Sequence, residues 1–355
     1  MNIKCIKKGN WIILSENRNI IYGISIILII IFHYFEDVLN SPNGINKEIL
    51  NIAVIYNVLF GSIGVEVFLF LSGIGLYFSL EKGRDVLKFY SKRIKRIIIP
   101  YVIIGLVYWG CVDIWINGTD LGDVCYDFLF ISLFTEGKQL FWYVAFIITA
   151  YAIYPIIYSM IKRYGEKSIL ILSVIGILIQ FIPRLLFKDV YINAEIYFTR
   201  FLIFFIGAYC GQKVFEKKNI EFADYILIIG GAIQFILYMF IHYLHILPIC
   251  DRFFELIGER VIKCFWGISM TFILVIVTTK IIPKIVQKFF EYIGKITYEL
   301  FLTHVAIRDY MKIINYQTSN LVNYIFCIGI SFVLAIVIHE INKKIFSLTS
   351  GRTCN

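Results

Sequence analysis

Long apolar runs alternate with short polar segments along most of the chain. A helix that crosses the hydrocarbon core of a bilayer needs about 20 mostly apolar residues. The runs are continuous rather than alternating every second residue, which favours membrane-spanning α-helices over the strands of a β-barrel. The pattern therefore predicts an all-α, polytopic integral membrane protein with about ten transmembrane helices. The predicted spans cover residues 20–38, 59–79, 98–117, 141–161, 168–186, 198–215, 223–246, 261–282, 296–313 and 321–342.

The positions of Lys and Arg predict how these spans are oriented. Short loops on the cytoplasmic side of a membrane protein carry an excess of Lys and Arg. If the N-terminus is cytoplasmic, 24 of the 34 Lys and Arg residues fall on that side and 10 on the other. Both termini are therefore predicted to be cytoplasmic. The basic segment from Glu81 to Arg96 is predicted to lie along the membrane surface.

The composition agrees with a membrane protein and narrows the function classes. Hydrophobic residues make up 59% of the chain and charged residues 17%, against about half and about a quarter in soluble domains. The net charge of +9 follows from the predicted topology, so no nucleic-acid partner is expected. The eight cysteines are scattered without a CxxC pair, which argues against a metal site or a disulfide framework. Residues 1–355 are predicted to form a single transmembrane domain.

Ionisable side chains inside the predicted spans are functional candidates, because a charge in the hydrocarbon core is costly. His33 lies well inside the first span and Glu66 in the outer part of the second. The two spans run in opposite directions, so both residues fall at similar depth, and Glu66 is predicted to orient His33 for proton transfer. The structural alternatives are a His33 that is hydrogen-bonded inside the bundle and a Glu66 that caps backbone groups or faces water.

Two further positions stand out. His304 lies in the middle of the ninth predicted span. Arg93 and Arg96 are three residues apart at the cytoplasmic start of the third span, so they share one helix face. Paired guanidinium groups bind phosphates well. The alternatives for this pair are charges that only set the topology, or a contact with anionic lipid.

Five motifs, in this order, resemble those of the acyltransferase 3 family of membrane proteins. They extend from about residue 20 to residue 305, and each lies on the side of the membrane that the predicted topology requires. The matching residues are Gly23 and His33; Gly64, Val65, Glu66, Ser72 and Gly73; Phe89, Tyr90, Arg93, Arg96, Ile97, Pro100 and Tyr101; Trp142, Tyr151 and Pro155; and Gly294, Lys295, Ile296, Thr297, Tyr298, Glu299, Leu302 and His304.

Two positions depart from the family pattern. The basic residue that is usual at the start of the first helix is Tyr22 here, and Arg18, one turn earlier, is predicted to take its place. The acidic residue of the second motif is Glu66, where Asp is commoner. The longer arm of Glu is expected to do similar work.

The resemblance implies an O-acyltransferase of the cytoplasmic (inner) membrane. Such proteins move an acyl group, usually acetyl from acetyl-CoA, to a hydroxyl of a surface polysaccharide or its lipid-linked precursor. The partners that it implies are acyl-CoA as donor substrate, a carbohydrate acceptor and the lipid bilayer, with no bound cofactor or metal.

The resemblance also implies a role for each candidate residue. Arg93, Arg96 and Arg18 would bind the acyl-CoA from the cytosol. His33, oriented by Glu66, would take the proton from the sugar hydroxyl or carry the acyl group itself. The residues expected to bind substrate or to stabilise the oxyanion are His304, Trp142 and Tyr298.

Two other function classes compete with this interpretation. Intramembrane His and Glu residues also mark proton-coupled transporters. A transporter usually shows a repeat between its halves, and the sequence has none that we detect. The other alternative is a component of polysaccharide export or assembly that performs no chemistry of its own.

Overall fold

The computed structural model describes residues 10–41, 45–83, 85–243 and 252–350, which are almost entirely helical. A seven-residue π-helical segment, Gly110–Ile116, follows the fifth α-helix. The α-helices are α1 (Ile12–Glu16), α2 (Arg18–Asn40), α3 (Lys47–Phe60), α4 (Ile63–Gly83), α5 (Val86–Trp109), α6 (Leu121–Phe128), α7 (Ile131–Thr135), α8 (Trp142–Tyr164), α9 (Lys167–Ile179), α10 (Ile182–Leu186), α11 (Tyr191–Phe198), α12 (Phe201–Phe215), α13 (Phe222–Tyr243), α14 (Arg252–Lys280), α15 (Lys284–Lys295), α16 (Thr297–Ile313) and α17 (Leu321–Ser350).

Nine helical segments in this part of the chain are long and apolar enough to cross a membrane. Each of them overlaps one of the ten predicted spans, which confirms the all-α, polytopic fold class. The end of the predicted span 223–246 lies outside the described residues from position 244 onward. The predicted span 296–313 does not qualify, because its helix α16 has only 17 residues and is rich in ionisable groups.

Helix α16 differs from the other predicted spans in what surrounds it. Most of its residues from Thr297 to Ala306 are buried, including Glu299 and His304. The helix is therefore enclosed by protein rather than by lipid. This explains why it carries polar groups that a lipid-facing span would not tolerate, since they find partners inside the bundle.

The prediction for the basic segment was wrong. Instead of a separate surface segment, the residues from Val86 onward begin helix α5, which continues to Trp109. The side chain of Asp85 caps this helix by accepting a hydrogen bond from the backbone N–H of Lys88 at 3.1 Å. No Gly or Pro interrupts the sequence before Pro100, so the helix continues through the basic residues.

Helix α3 was not predicted, because the region between the first two spans was interpreted as a loop. Its N-cap is Asn46, whose side chain accepts a hydrogen bond from the backbone N–H of Glu48 at 2.8 Å. A sharp break separates α3 from α4, and Ser62 adopts the left-handed conformation there (φ 68°). The second span thus begins as two helices rather than one.

Glycines let helices α4 and α12 touch through their backbones. A Cβ atom on Gly73 would lie 2.6 Å from the carbonyl oxygen of Phe204 and from the backbone nitrogen of Ala208. Gly207 meets the backbone of Phe70 in the same way. Small residues allow such close approach between membrane helices. The contact holds α4, which carries Glu66, next to the start of α12.

Candidate active site

A cavity of about 490 Å³, here called the basic cavity, lies between helices α2, α4, α5, α8, α16 and α17 and the end of α15. No Asp or Glu is among the described residues that line it. The Arg and Lys residues of this described wall are Arg18, Arg93, Arg96, Lys295 and Lys343, and the two lysines also pair with Glu291 and Glu340 outside the wall. This cavity therefore suits a ligand with several negative charges.

Two guanidinium groups of the basic cavity have unused donors. The Nε atoms of Arg18 and Arg93 are buried and have no hydrogen-bond partner in the part of the chain that the structure describes. Gly75 leaves room for Arg18, since a Cβ atom there would lie 3.1 Å from its Nη1 atom. The guanidinium of Arg93 lies 5.9 Å from the centre of the Tyr151 ring. Buried N–H groups without partners favour an anionic ligand that would accept from them.

A second cavity of about 800 Å³, here called the polar cavity, contains His33 in its wall. Its charges are balanced, unlike those of the basic cavity. Aromatic rings, among them Trp109 and Trp142, form part of its surface. The charged lining residues are the bases Lys138, Arg200, Arg260 and Arg308 and the acids Glu36, Asp113, Glu195 and Asp309.

Ion pairs neutralise the bases of the polar cavity. Arg260 Nη2 lies 2.6 Å from Glu195 Oε1, and Arg308 Nη2 lies 2.6 Å from Glu36 Oε2. The side chain of Lys138 lies 2.8 Å from Asp127 Oδ2. Partial burial opposes the charge of Lys138, but Asp127 and the nearby carboxylate of Glu136 raise its pKa above the usual value.

Arg200 is the remaining base of the polar cavity, and it pairs with Glu66 in the interior. Their side chains are only 1% and 2% exposed. The guanidinium also lies 5.6 Å from the centre of the Trp142 ring. The other carboxylate oxygen of Glu66, Oε2, has no hydrogen-bond partner. This is a buried ion pair that depends on both of its members.

His33 contacts His304 rather than Glu66. The Nδ1 atom of His33 lies 3.1 Å from the Nε2 atom of His304, and the two rings stack with centroids 5.3 Å apart. The Tyr324 hydroxyl donates to the carbonyl oxygen of Ile30 at 2.7 Å and lies 3.3 Å from the same Nε2 atom. The expected orienting contact between Glu66 and His33 is thus replaced, since Arg200 engages the carboxylate.

The histidine pair can present His33 as a base. When His33 carries its proton on Nδ1 and donates it to His304, its Nε2 lone pair is left to accept a proton. The single hydroxyl proton of Tyr324 goes to Ile30, so Tyr324 does not need the His304 Nε2 lone pair. In this tautomer, His304 fixes the ring of His33 in the way that an orienting group does in other general-base sites.

The basic and polar cavities meet at three apolar side chains. Ile29, Val65 and Phe301 line both cavities. On helix α2, Tyr22 faces the basic cavity and His33 the polar one. Eleven residues separate these two side chains, which is about 16 Å along a helix axis. A long, thin ligand in the basic cavity therefore points toward the residues around His33.

The predicted site residues divide between the two cavities. Arg18 lines the basic cavity together with Arg93 and Arg96, beside Tyr22. Tyr298 lies there too, and its hydroxyl donates to the carbonyl oxygen of Ile97 at 3.0 Å. The predicted residues on the polar side are His33, Trp142 and, behind His33, His304.

Sequence reasoning missed several residues of both cavities. Arg200 was counted only as a charge near a helix end, and nothing in its local sequence indicates that it pairs with Glu66. Tyr324, which braces His304, lies in an ordinary apolar run. Lys343 was considered only as a charge that sets the topology. It follows the last predicted span on the predicted cytoplasmic side, where Arg93 and Arg96 also lie, and this shared side is a signal that could have placed it near them.

Two more polar groups in the wall of the polar cavity have unused hydrogen-bonding capacity among the described residues. Asp113 in the π-helical segment is 3% exposed, and its Oδ2 atom accepts no hydrogen bond there, although its side chain lies next to that of Asp127. Trp109, four residues earlier, is 6% exposed, and its indole N–H makes no hydrogen bond of standard geometry with a described residue, although it lies near Tyr101. Such π-helical turns often occur at functional sites. An acceptor and a donor are therefore available here for a ligand with hydroxyl groups.

The chain can also be compared with known proteins. The acyltransferase 3 family model, which describes an acyltransferase domain, matches residues 19–340. The matched region contains nearly all the residues that line the two cavities. Neither the curated proteins nor the solved structures give a match to the chain.

Proposed function

The chain belongs to the acyltransferase 3 family, and we propose that it transfers acetyl from acetyl-CoA to a hydroxyl of a surface polysaccharide or its lipid-linked precursor. The observation that carries this proposal is the pair of cavities, one basic and one polar, that meet next to His33. The protein would act in the cytoplasmic membrane, with both termini and the basic cavity on the cytoplasmic side. Acyl-CoA would enter from there, and no bound cofactor or metal is needed.

The basic cavity supports acyl-CoA as the donor. Its Arg18, Arg93 and Arg96 guanidinium groups would bind the phosphates, with the buried Nε donors of Arg18 and Arg93 among them. The thin acyl-pantetheine arm would extend between the helices to Ile29, Val65 and Phe301. In that position the thioester would lie at the boundary between the two cavities.

The polar cavity supports a carbohydrate as the acceptor. Sugars present hydroxyl groups for hydrogen bonds and apolar ring faces that pack against aromatic side chains. The cavity offers Trp142 and Trp109 for packing, and its paired charges add little net field. The unpaired oxygen of Asp113 and the indole N–H of Trp109 would bind hydroxyl groups.

Acyl transfer would proceed with His33 as the general base. Its Nε2 atom would accept the proton of the acceptor hydroxyl as the oxygen attacks the thioester carbonyl. The new C–O bond forms and the C–S bond breaks, so the acyl group becomes an ester. The thiolate of CoA leaves and takes up the proton from His33. His304 would position His33 through the contact between Nδ1 and Nε2.

The proposed function is tested by supplying labelled acetyl-CoA to membranes that contain the protein. Labelled polysaccharide is expected, together with an ester that mass spectrometry locates on a sugar hydroxyl. A matched strain that lacks the protein should show no such ester. If the protein instead moves an intact solute across vesicles and leaves acetyl-CoA unconsumed, the transporter alternative is correct.

Replacing Arg93 and Arg96 together with Ala should raise the KM for acetyl-CoA. Two charge-assisted hydrogen bonds to phosphate are lost, so an increase of about tenfold to a hundredfold is expected. The matched control is Arg163→Ala, since Arg163 lies at the exposed end of α8 and packs on Tyr164. An unchanged KM in the double variant would leave the pair as topology charges only.

Replacing His304 with Ala should lower kcat while the KM for acetyl-CoA stays near its original value, because the donor binds in the other cavity. A loss of about tenfold to a hundredfold is expected for a residue that positions the base. The pH dependence of kcat should also change, since His33 loses the partner of its Nδ1 atom. His304→Gln, whose amide can reach a similar position, should restore part of the rate. A purely structural role would alter the amount of folded protein but not the pH profile.

A further inference from the structure

A third cavity, of about 520 Å³, forms a groove between the N-terminal half of α5 and the C-terminal half of α17. Like the basic cavity, it has no Asp or Glu among the described residues of its wall, although Glu340 outside the wall lies 2.7 Å from Lys343 Nζ. The residues that line it include Lys92, Arg93, Arg96, Asn342, Lys343 and Phe346. We call it the side groove.

The side groove is continuous with the basic cavity. Arg93, Arg96, His339 and Lys343 line both spaces. The ring of His339 is held by Glu299, whose Oε1 atom lies 2.9 Å from Nδ1. A ligand too long for the basic cavity can therefore place its remaining part in the side groove without leaving the positive potential of the arginines.

Asn342 points independently to a ligand. The residue is only 9% exposed, and its Oδ1 atom is buried without a hydrogen-bond partner among the described residues. A buried amide oxygen that accepts no hydrogen bond destabilises the protein when no ligand is present. A group with an N–H or O–H donor in the groove would satisfy it. The groove thus offers both cations for phosphate and an acceptor for a neutral polar group.

The chemistry of the groove matches one end of the proposed donor. Coenzyme A ends in an adenosine that carries a 3′-phosphate, and the adenine has an exocyclic amine that donates hydrogen bonds. We propose that the side groove binds this nucleotide end, with Asn342 accepting from the base or ribose and Lys343 and Lys92 facing the phosphate. The proposal deepens the proposed function and rests on it for the identity of the donor.

The donor would then lie across both spaces, with its nucleotide in the side groove and its acyl end in the basic cavity. Its nucleotide lies between α5 and α17, its pyrophosphate passes Arg93 and Arg96, and its arm enters the basic cavity. The phosphate of an anionic phospholipid shares part of this chemistry. It lacks the nucleotide, so the two sources can be separated by experiment.

The kinetic test uses two donors, acetyl-CoA and S-acetylpantetheine, which lacks the nucleotide. Lys343→Gln should raise the KM for acetyl-CoA about tenfold, as expected for one lost hydrogen bond to a charged group, and Asn342→Ala about fivefold, as expected for one lost neutral hydrogen bond. The KM for S-acetylpantetheine should not change. The matched control is Lys344→Gln, which removes the same charge from the exposed neighbouring position. An equal effect on both donors, or none on either, overturns the proposal.

A binding test keeps the groove assignment separate from the acyl-transfer activity. Labelled CoA is bound to the full-length protein in phosphatidylcholine nanodiscs and displaced with adenosine 3′,5′-bisphosphate. Displacement that weakens in Lys343→Gln supports the groove even if no acetyl transfer is found, in which case only the proposed function fails. Displacement by added phosphatidylglycerol but not by the bisphosphate would assign the groove to lipid and overturn the proposal.

Discussion

Replacing His33 with Ala should abolish acyl transfer while the protein still folds and inserts. General-base catalysis contributes about 10²–10⁴-fold to the rate, and no other histidine lines the polar cavity among the described residues. His304 cannot substitute, because its ring is buried and does not line the polar cavity. The measurement is the transfer of labelled acetyl from acetyl-CoA by equal amounts of membrane-inserted protein.

Donor binding supplies the control for this variant. His33 lines the polar cavity and the donor would lie in the basic cavity, so His33→Ala should bind labelled CoA as tightly as the original protein does. Retained binding with lost transfer separates the chemical step from folding. Full transfer activity in the variant would contradict the assignment of His33 as the base.

Replacing Glu66 with Ala should strongly destabilise the protein. Arg200 would remain charged in the interior without its counter-ion, and breaking a buried ion pair from one side typically costs about 3–5 kcal/mol. The expected result is a large decrease in the melting temperature, measured by thermal unfolding of the protein in detergent. The matched control is Glu291→Ala, because Glu291 pairs with Lys295 at the surface. Losing an exposed pair costs about 0–1 kcal/mol.

The double variant with Glu66→Met and Arg200→Met separates stability from catalysis. An apolar pair of similar volume often restores stability, because no unpaired charge stays buried. If the double variant is stable and active, the ion pair serves only the fold. If it is stable and inactive, Glu66 or Arg200 acts on the substrate, which is consistent with the position of Arg200 in the polar cavity. A single Glu66→Ala variant as stable as the original protein would contradict the buried-pair argument.

The spans were predictable because hydropathy reports which helices face lipid. It failed for α16, since that helix faces protein and its buried Glu299 and His304 lower its hydropathy. It also failed for α3, whose residues from Lys47 to Phe60 lie between two obvious spans and extend the second of them. The basic residues of α5 suggested a surface segment. A helix is interrupted by residues such as Gly or Pro rather than by charge, and neither occurs between Val86 and Pro100.

The candidate site could be proposed from the sequence as a set of residues but not as a set of contacts. The motifs selected His33, Glu66 and His304, and all three are buried or half-buried in the bundle. The similar depths of His33 and Glu66 in their predicted spans suggested that they are neighbours. Depth does not determine the direction in which a side chain points around its helix axis. Arg200 is 134 residues away from Glu66 along the chain, so only the three-dimensional fold could identify it as the partner.

The three apolar side chains between the two cavities also bear on the energy supply of the cell. A continuous column of water through the bundle would let protons flow across the membrane, and each charge would dissipate about 2.3 kcal/mol per 100 mV. Ile29, Val65 and Phe301 place apolar side chains where the two cavities meet, which disfavours such a column. A small, uncharged acyl group can pass apolar side chains that exclude a hydrated ion. If the chain transfers acyl groups as proposed, these three side chains would let the acyl group pass while limiting the leakage of current.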